Sequence, residues 1–173
     1  MLFPEKIEDY EYECVIDGKL SNIKLGSIKS KYIVIVFYPL DFSFVCPTEI
    51  IKFSLLHDDF KDLDATVVFA SADSKYSHLN WIWKDKEDGG LGEVKWPMIS
   101  DINRKLSSQF NLFNEETGTV MRGTVILDRD LKVLHISANI DPIGRSTKEV
   151  LRLLKALSSY AEKGEVCMID FGE

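Results

Sequence analysis

The hydrophobic positions of this chain fall into two patterns. Two short, continuous apolar runs, Ile33–Tyr38 and Thr66–Ser71, are typical of strands that are buried on both faces. Between them, from Pro47 to about Leu63, apolar residues recur at the spacing of one helix face. A strand, a helix and a strand in this order predict a β-α-β unit whose strands are parallel.

Turn signals predict two hairpins. Asp17-Gly18-Lys19 separates strands at 12–17 and 23–25, and Asp128-Arg129-Asp130 separates strands at 122–127 and 132–137. Three glycines within 88–92 disfavour any regular element, so this segment is predicted to be a loop.

Capping signals predict the remaining helices. Ser74 is placed to cap a helix that runs to about Lys84, and Ser146 with Glu149 forms a capping box for a last helix to about Ala161. A shorter helix is expected over 103–110. Together these elements predict one α/β domain with a central mixed β-sheet and helices on both faces.

Composition and charge narrow the classes of function. The 173 residues are 45% hydrophobic and 28% charged, as in an ordinary folded domain, and the formal net charge is −7. Nucleic-acid binding needs a basic face, so an acidic chain argues against it. The apolar runs are too short to cross a bilayer and no targeting segment is visible, so we expect no membrane partner and a cytoplasmic location.

The three cysteines, Cys14, Cys46 and Cys167, carry the candidate chemistry. They form no C-x-x-C pair and no metal-ligand spacing, and His57, His78 and His135 are scattered, so no metal site is predicted. Cys14 lies on the first hairpin without an acid, a base or a capping residue, and we interpret it as a packing residue. For Trp81 and Trp83, helical spacing favours a core position for at least one.

Cys46 stands between a buried strand and a helix. With Pro47 at the first helical position, Cys46 would be the N-cap, and Glu49 could bond back to a free backbone amide. A helix N-terminus plus one cation would lower the thiol pKa by roughly 2–3 from its usual value of about 8.5, which favours a nucleophilic thiolate. Ser43 could bring its hydroxyl beside the sulfur. These local features indicate a reactive thiol, while a buried, inert cysteine stays open.

The segment from Pro39 to Glu49 reads P-x-x-x-S-x-x-C and then P-T-E, and it resembles the active-site signature of the typical 2-Cys peroxiredoxins. Other segments resemble that family in the same order: 77–81, 89–92, 97–101, 122–124, 144–146 and 165–167. The resemblance spans nearly the whole chain. It implies a thioredoxin-like fold and a thiol peroxidase that needs no metal or organic cofactor, because sulfur itself carries the electrons.

The resemblance also implies a role for each matching residue. Cys46 would be the peroxidatic cysteine that attacks the peroxide, shielded by Pro39, with Ser43 orienting the substrate. Arg122 would polarise the thiolate and the breaking O–O bond, held in place by Glu49 and Arg145. Without the resemblance, the sequence favours interpreting Arg122 as a surface arginine in an ordinary salt bridge. Ser43 stands where the family more often has Thr, which preserves the hydroxyl.

Cys167 would be the resolving cysteine, which captures the sulfenic acid of the partner subunit as a disulfide. We therefore expect a peroxidase domain over 1–163 and a mobile tail over 164–173. Met168 stands where the family usually has Pro, and the C-terminal helix with a Tyr-Phe element that slows resolution in peroxide-sensitive members is missing. Rapid resolution and resistance to overoxidation are the expectation.

The expected partners are hydrogen peroxide and organic hydroperoxides, thioredoxin or a similar dithiol protein, and a second copy in a homodimer. The resemblance also implies a decamer, in which five dimers form a ring. The expected biological role is antioxidant defence and redox homeostasis. Alternatives left open are a holdase chaperone or a redox relay. A thioredoxin-like disulfide reductase is disfavoured, since the chain has no C-x-x-C motif.

Overall fold

The computed structural model describes residues 4–164, 166–169 and 171–172. Its four α-helices are α1 (Cys46–Leu55), α2 (His57–Asp62), α3 (Lys75–Trp83) and α4 (Thr147–Lys163). The nine strands in this part of the chain are β1 (Glu11–Ile16), β2 (Lys19–Lys24), β3 (Tyr32–Phe37), β4 (Ala65–Ser71), β5 (Met98–Ser100), β6 (Phe113–Asn114), β7 (Thr119–Val120), β8 (Arg122–Asp128) and β9 (Val133–Asn139).

Seven strands form one mixed sheet in the order β2-β1-β5-β4-β3-β8-β9, and β6 pairs with β7 separately. β3, β4 and β5 run parallel, whereas β1, β8 and β9 join by antiparallel pairing. This confirms the predicted α/β class, the parallel β-α-β unit and the presence of both hairpins. The second strand of the first hairpin was predicted at 23–25, but it begins at Lys19 and ends at Lys24. The first hairpin turns through Asp17 and Gly18, both of which have positive φ.

Each face of the sheet has its own core. Residues of all four α-helices pack on one face, including Phe53, Phe60, Trp81 and Leu154. The other face is covered by the N-terminal segment and by the chain between β5 and β8, including Leu25, Leu106 and Phe110. The prediction of α-helices on both faces is therefore wrong, because in the described part of the chain only short 3-10 helices contribute to this second core. Trp81 is fully buried, which confirms a core position for one of the two tryptophans, while Trp83 is 66% exposed.

The predicted helix over 47–63 is wrong in one respect, because it is interrupted at Leu56. Leu56 adopts a turn conformation between α1 and α2. Phe53 and Phe60, on either side of that turn, stack with ring centroids 5.5 Å apart in the same core. The apolar period therefore continues through the turn and conceals it.

The predicted helix over 103–110 is also wrong, because only Ser107–Phe110 forms a short 3-10 helix. Arg104 has a φ of +63°, which no α-helix accommodates. The buried Asp101 carboxylate accepts hydrogen bonds from the Leu106 and Ser107 amides at 2.8 and 2.9 Å. Those local bonds favour a tight turn over a continuous α-helix.

Candidate active site

Cys46 lies at the first residue of α1, immediately after the loop that follows β3. The prediction that Cys46 is the N-cap is wrong by one position, because Val45 occupies that place and is already in the α conformation. The Val45 carbonyl accepts the Thr48 amide at 3.1 Å and the Thr48 hydroxyl at 2.6 Å, so the helix begins one residue early. The cysteine still stands at the helix N-terminus and is fully buried.

Glu49 does not bond back to an amide of the first turn, so the bond predicted for its side chain is wrong. Its carboxylate is engaged by two arginines. Arg122 donates to Oε2 at 2.6 Å, and Arg145 donates to Oε1 from both its backbone N–H and its Nε at 2.7 and 2.9 Å. Glu49 therefore connects α1 to β8 and to the segment that precedes α4.

Arg122 is the cation that faces the sulfur. Its Nη1 lies 3.5 Å from Cys46 Sγ, while its Nε donates to the Asp141 carbonyl at 2.9 Å. The antiparallel pairing of β8 with β3 brings the start of β8 to the end of β3, where α1 begins. The fold thus joins two residues that are 76 positions apart in the sequence.

Arg145 supports this arrangement by binding Glu49. Its side chain is 6% exposed, and Nη1 and Nη2 donate to the carbonyls of Gly123 and Phe37, which lie in β8 and β3. Each of its guanidinium nitrogens therefore has an acceptor. Such a fixed guanidinium holds Glu49, and through Glu49 it holds Arg122.

The electrostatics of the buried groups follow their contacts. Burial by itself raises the pKa of Glu49, but the hydrogen bonds and positive charges of Arg145 and Arg122 outweigh burial, so that pKa is lowered. Burial lowers the pKa of Arg145. For Arg122, burial has the same effect, but the hydrogen bond to Cys46 and the charges of Cys46 and Glu49 leave its pKa raised.

Ser43 and Pro39 lie in the loop that leads to Cys46. The Ser43 hydroxyl donates to the Leu40 carbonyl at 2.9 Å, so in this structure it is bonded within its own turn rather than to the sulfur. Its oxygen lone pairs can still accept a hydrogen bond. Pro39 is buried just beyond β3. Their roles toward a peroxide stay predictions.

Cys167 lies against the last helix. Its thiol is half-buried and donates to the Ala156 carbonyl of α4 at 3.3 Å. No disulfide joins it to Cys46. The helix α4 ends at Lys163 with Gly164 in a left-handed conformation, and Glu165 of the predicted Glu165-Val166-Cys167 match lies outside the described residues. The division into a domain over 1–163 and a mobile tail stays a prediction.

Sequence reasoning missed a buried polar cluster under the same loop. Tyr38, Asp41 and His78 lie together there and contact one another through side-chain atoms. The signal was present, because Asp41 is inside the signature and His78 is inside a segment that resembles the family. The scattered spacing of the three histidines along the sequence concealed it.

Cys14 is fully buried on β1, and burial raises the pKa of its thiol to about 11, which fits a packing residue. Among the described residues, no three His, Cys, Asp or Glu side chains are grouped to hold a metal ion. In the same part of the chain, no helix is both long and apolar enough to span a bilayer.

Comparison with known proteins places this geometry in a family. Residues 5–136 match the family model described as the AhpC/TSA family. A thioredoxin peroxidase homologue of Encephalitozoon cuniculi is 45% identical over 166 residues, which cover 96% of this chain and 94% of that protein. The mitochondrial thioredoxin-dependent peroxide reductase of Drosophila melanogaster is 42% identical, over 92% of this chain and 68% of that protein.

Solved structures agree with the sequence relatives. The crystal structure of the reduced 2-Cys peroxiredoxin of Plasmodium vivax superposes with a TM-score of 0.93 at 32% identity, covering 100% of this chain and 91% of that one. This match confirms the predicted thioredoxin-like fold and the resemblance drawn from the motifs. The chain therefore belongs to the AhpC/TSA family and is similar throughout its length to the 2-Cys peroxiredoxins.

Proposed function

We propose that this protein is a thioredoxin-dependent peroxidase that reduces hydrogen peroxide and organic hydroperoxides through Cys46. The observation that carries the proposal is the charge of the buried cluster. Two arginines and one ionised carboxylate leave one positive charge uncompensated, and Arg122 directs it at Cys46 Sγ from 3.5 Å. A thiolate at that position neutralises the cluster, whereas a thiol leaves a buried charge unpaired.

The first step is attack of the Cys46 thiolate on the terminal oxygen of the peroxide. A sulfur–oxygen bond forms and the O–O bond breaks, and the departing oxygen leaves as an alkoxide or hydroxide that takes up a proton. Cys46 is oxidised to a sulfenic acid, and the peroxide is reduced to an alcohol or water. Arg122 stabilises the negative charge that develops on the departing oxygen, and Ser43 accepts or donates a hydrogen bond to the substrate.

The second step is capture of the sulfenic acid by Cys167 of a partner subunit. The Cys167 thiolate attacks the Cys46 sulfur, the S–O bond of the sulfenic acid breaks, and an intersubunit disulfide forms. The hydroxide that leaves takes up a proton and becomes water. A disulfide needs Cα atoms about 4.4–6.8 Å apart. Cys167 must therefore move away from α4, and the first turn of α1 must open to expose Cys46. Thioredoxin or a similar dithiol then reduces the disulfide by thiol exchange.

The test is a non-reducing gel after one equivalent of hydrogen peroxide. We expect a covalent dimer in the wild type that is absent from both Cys46→Ser and Cys167→Ser. Cys14→Ser is the matched control and should form the dimer, because Cys14 is fully buried on β1. A dimer that persists in Cys167→Ser would contradict the proposed resolving residue, and peroxide consumption by Cys46→Ser would contradict the proposed nucleophile.

The biological role and the cellular location of the protein are proposals as well. A role in antioxidant defence follows from the proposed peroxidase activity. Relatives include a mitochondrial protein and a chloroplastic one, so the cytoplasmic location stays a prediction. Holdase or relay activity would be indicated if Cys46→Ser protected client proteins from aggregation as well as the wild type does while the wild type showed little peroxide turnover.

A further inference from the structure

The guanidinium of Arg104 joins three separate loops of the structure. Its Nη1 donates to the carbonyls of Ala72, Asp101 and Ile102 at 3.3, 3.1 and 2.7 Å. Its Nη2 donates to the Gly118 carbonyl at 3.3 Å. These carbonyls belong to the loop after β4, the loop after β5 and the turn between β6 and β7. A planar group with five N–H donors suits such a set, because it reaches several acceptors in fixed directions.

The backbone of Arg104 adopts a costly conformation where it presents this group. Its φ of +63° lies in the left-handed region that residues other than Gly, Asn and Asp rarely occupy. The residue is half-buried, and its guanidinium carbon lies 4.8 Å from the centroid of the Phe113 ring in β6. Strain of this kind persists only where neighbouring contacts fix the residue, and it is typical of functional positions.

The β6–β7 hairpin is therefore held at two points by one side chain. Arg104 contacts Phe113 in the first strand and the Gly118 carbonyl in the turn. The hairpin itself contains only two residue pairs. A two-stranded hairpin is marginally stable at best in water, so its order depends on contacts with the rest of the fold. Arg104 supplies such contacts.

Arg122 follows this hairpin directly. The Met121 amide donates to the Leu112 carbonyl at 2.7 Å, which closes the hairpin, and the Gly123 amide donates back to the Met121 carbonyl at 2.8 Å. Arg122 is thus the central residue of a γ-turn. In the described part of the chain, β9 pairs with β8 from Arg122 onward, but β3 pairs with β8 only from Thr124. The position of the hairpin therefore contributes to the position of the Arg122 backbone.

The contact between Arg122 and Cys46 depends on that backbone. Nη1 of Arg122 lies 3.5 Å from Cys46 Sγ and 2.6 Å from Glu49 Oε2. In the proposed reaction the same guanidinium stabilises the charge that develops on the departing oxygen. A displacement of about 1 Å at such a group can slow a reaction about 100-fold, even when the change lies far from the reacting atoms.

We propose that Arg104 is a positioning residue for the peroxidase reaction: it holds the β6–β7 hairpin and thereby fixes the backbone from which Arg122 reaches Cys46. The inference rests on the proposed function. The contacts of Arg104 are with backbone carbonyls and with the Phe113 ring, so it acts through Arg122 rather than on the peroxide.

Stopped-flow kinetics of Arg104→Lys provides the first test. Lysine retains the charge but cannot reach carbonyls on three loops at once. We expect sulfenic acid formation to slow by about 10- to 100-fold, the range that a misplaced catalytic group costs. Arg129→Lys is the matched control, since Arg129 is exposed and follows the other end of β8. Its rate should equal that of the wild type.

A second measurement separates displacement of Arg122 from a general loss of structure. The ultraviolet absorbance of the Cys46 thiolate, taken as the difference between each protein and its Cys46→Ser variant, gives the ionised fraction of the sulfur at each pH. A thiolate whose cation is displaced is less stable, so the midpoint of this curve should move to higher pH in Arg104→Lys. It should stay unchanged in Arg129→Lys. This measurement needs no peroxide.

A double-mutant cycle decides whether Arg104 acts through Arg122. If it does, Arg104→Lys should slow the wild type but should have no further effect in Arg122→Lys, which has already lost the guanidinium. Independent effects would instead multiply, and the double variant would be slower than Arg122→Lys by the same factor. That result would overturn the proposal. So would an Arg104→Lys protein that forms sulfenic acid at the wild-type rate.

Phe113→Leu provides a milder variant, because it removes the ring beside the guanidinium and retains an apolar side chain. We expect a smaller decrease in rate, together with faster hydrogen–deuterium exchange over residues 112–121. If Arg104→Lys does not fold, Phe113→Leu takes its place in the cycle with Arg122→Lys. A slower reaction without faster exchange of the hairpin would contradict the proposal. A wild type that consumes no peroxide would instead refute the proposed function, and the thiolate curve would still decide whether Arg104 positions Arg122.

Discussion

Arg122 Nη1 lies between two acceptors, Cys46 Sγ at 3.5 Å and Glu49 Oε2 at 2.6 Å. One planar group thus serves the nucleophile and the residue that holds the arginine in place. A lysine at this position would retain the charge but could not present several N–H groups in a fixed fork.

We expect Arg122→Lys to slow sulfenic acid formation about 100-fold, the loss that follows removal of one fixed donor to a developing oxyanion. Stopped-flow kinetics with hydrogen peroxide would measure it. Arg129→Lys is the control, since Arg129 is exposed and its nearest carboxylate, Asp64, is 3.9 Å away. Equal rates in the two variants would show that charge alone is sufficient.

Glu49 provides a prediction about pH. Its pKa is lowered in the folded protein from an ordinary value of 4.5, so the native state binds fewer protons than the unfolded state. The stabilisation is therefore present above about pH 4.5 and is lost as the pH falls through the lower folded value. Glu49→Gln should lose about 3–5 kcal/mol at neutral pH, because two buried arginines lose their anion.

Urea unfolding of wild type and Glu49→Gln between pH 7 and pH 3 would check this. The two free energies of unfolding should converge as the pH falls, since a protonated Glu49 resembles Gln. A difference that stays constant over this range would contradict an ionised Glu49 in the native state. The matched control is Glu93→Gln, which removes a carboxylate outside this cluster.

At the residue scale, the sequence identified the reactive groups better than their geometry. Motif spacing indicated Cys46, and the family resemblance indicated Arg122, Glu49 and Arg145, which the structure brings together. The sequence could not show that Glu49 faces two arginines rather than the helix amides, because these arginines lie 73 and 96 positions away along the chain. Local capping rules do not include such long-range competitors.

Among the elements, α4 is the one whose start is most directly linked to the site. Ser146 accepts the Glu149 amide through its hydroxyl at 3.3 Å, and the residue before it is Arg145. The predicted N-cap is confirmed, although Glu149 pairs with Arg152 instead of completing the capping box. This cap therefore fixes where α4 begins, and with it the position of the buried Arg145 guanidinium.

We expect Ser146→Ala to reduce the free energy of unfolding by about 1 kcal/mol, the usual loss for an N-cap. Chemical denaturation followed by circular dichroism would measure this loss. Ser137→Ala, an exposed site on β9, should change stability by less than about 0.5 kcal/mol. Equal stability of wild type and Ser146→Ala would mean that this hydroxyl contributes nothing to the helix.

The hydrophobic pattern predicted some elements correctly and missed others. Strands β3 and β4 were evident from continuous apolar runs, and the structure confirms both within one residue. The break at Leu56 was not evident, because the aromatic residues on both sides face one core. The predicted helix over 103–110 is wrong for a different reason. A buried carboxylate at Asp101 determines the turns of this segment, and the burial of that carboxylate cannot be deduced from the sequence alone.

At the scale of the whole molecule, the two edges of the sheet differ in charge. The edge strand β2 carries lysines at both ends, Lys19 and Lys24, which discourages another strand from pairing there. The opposite edge strand, β9, contains no Asp, Glu, Lys or Arg. An uncharged edge is a template for pairing with a second copy, so β9 is the edge on which we expect the proposed homodimer to form.

Ala138 tests that expectation, because it lies on β9 and is exposed. Ala138→Lys places a charge on the edge, and we expect it to shift the protein from dimer to monomer in sedimentation. The covalent dimer after peroxide should then disappear, whereas trapping of sulfenic acid at Cys46 should persist, since the buried cluster lies within one chain. Ala161→Lys, an exposed site on α4, is the matched control and should remain dimeric. If Ala138→Lys remains dimeric, the dimer interface does not lie on β9. Cys167 would then capture the sulfenic acid across another surface.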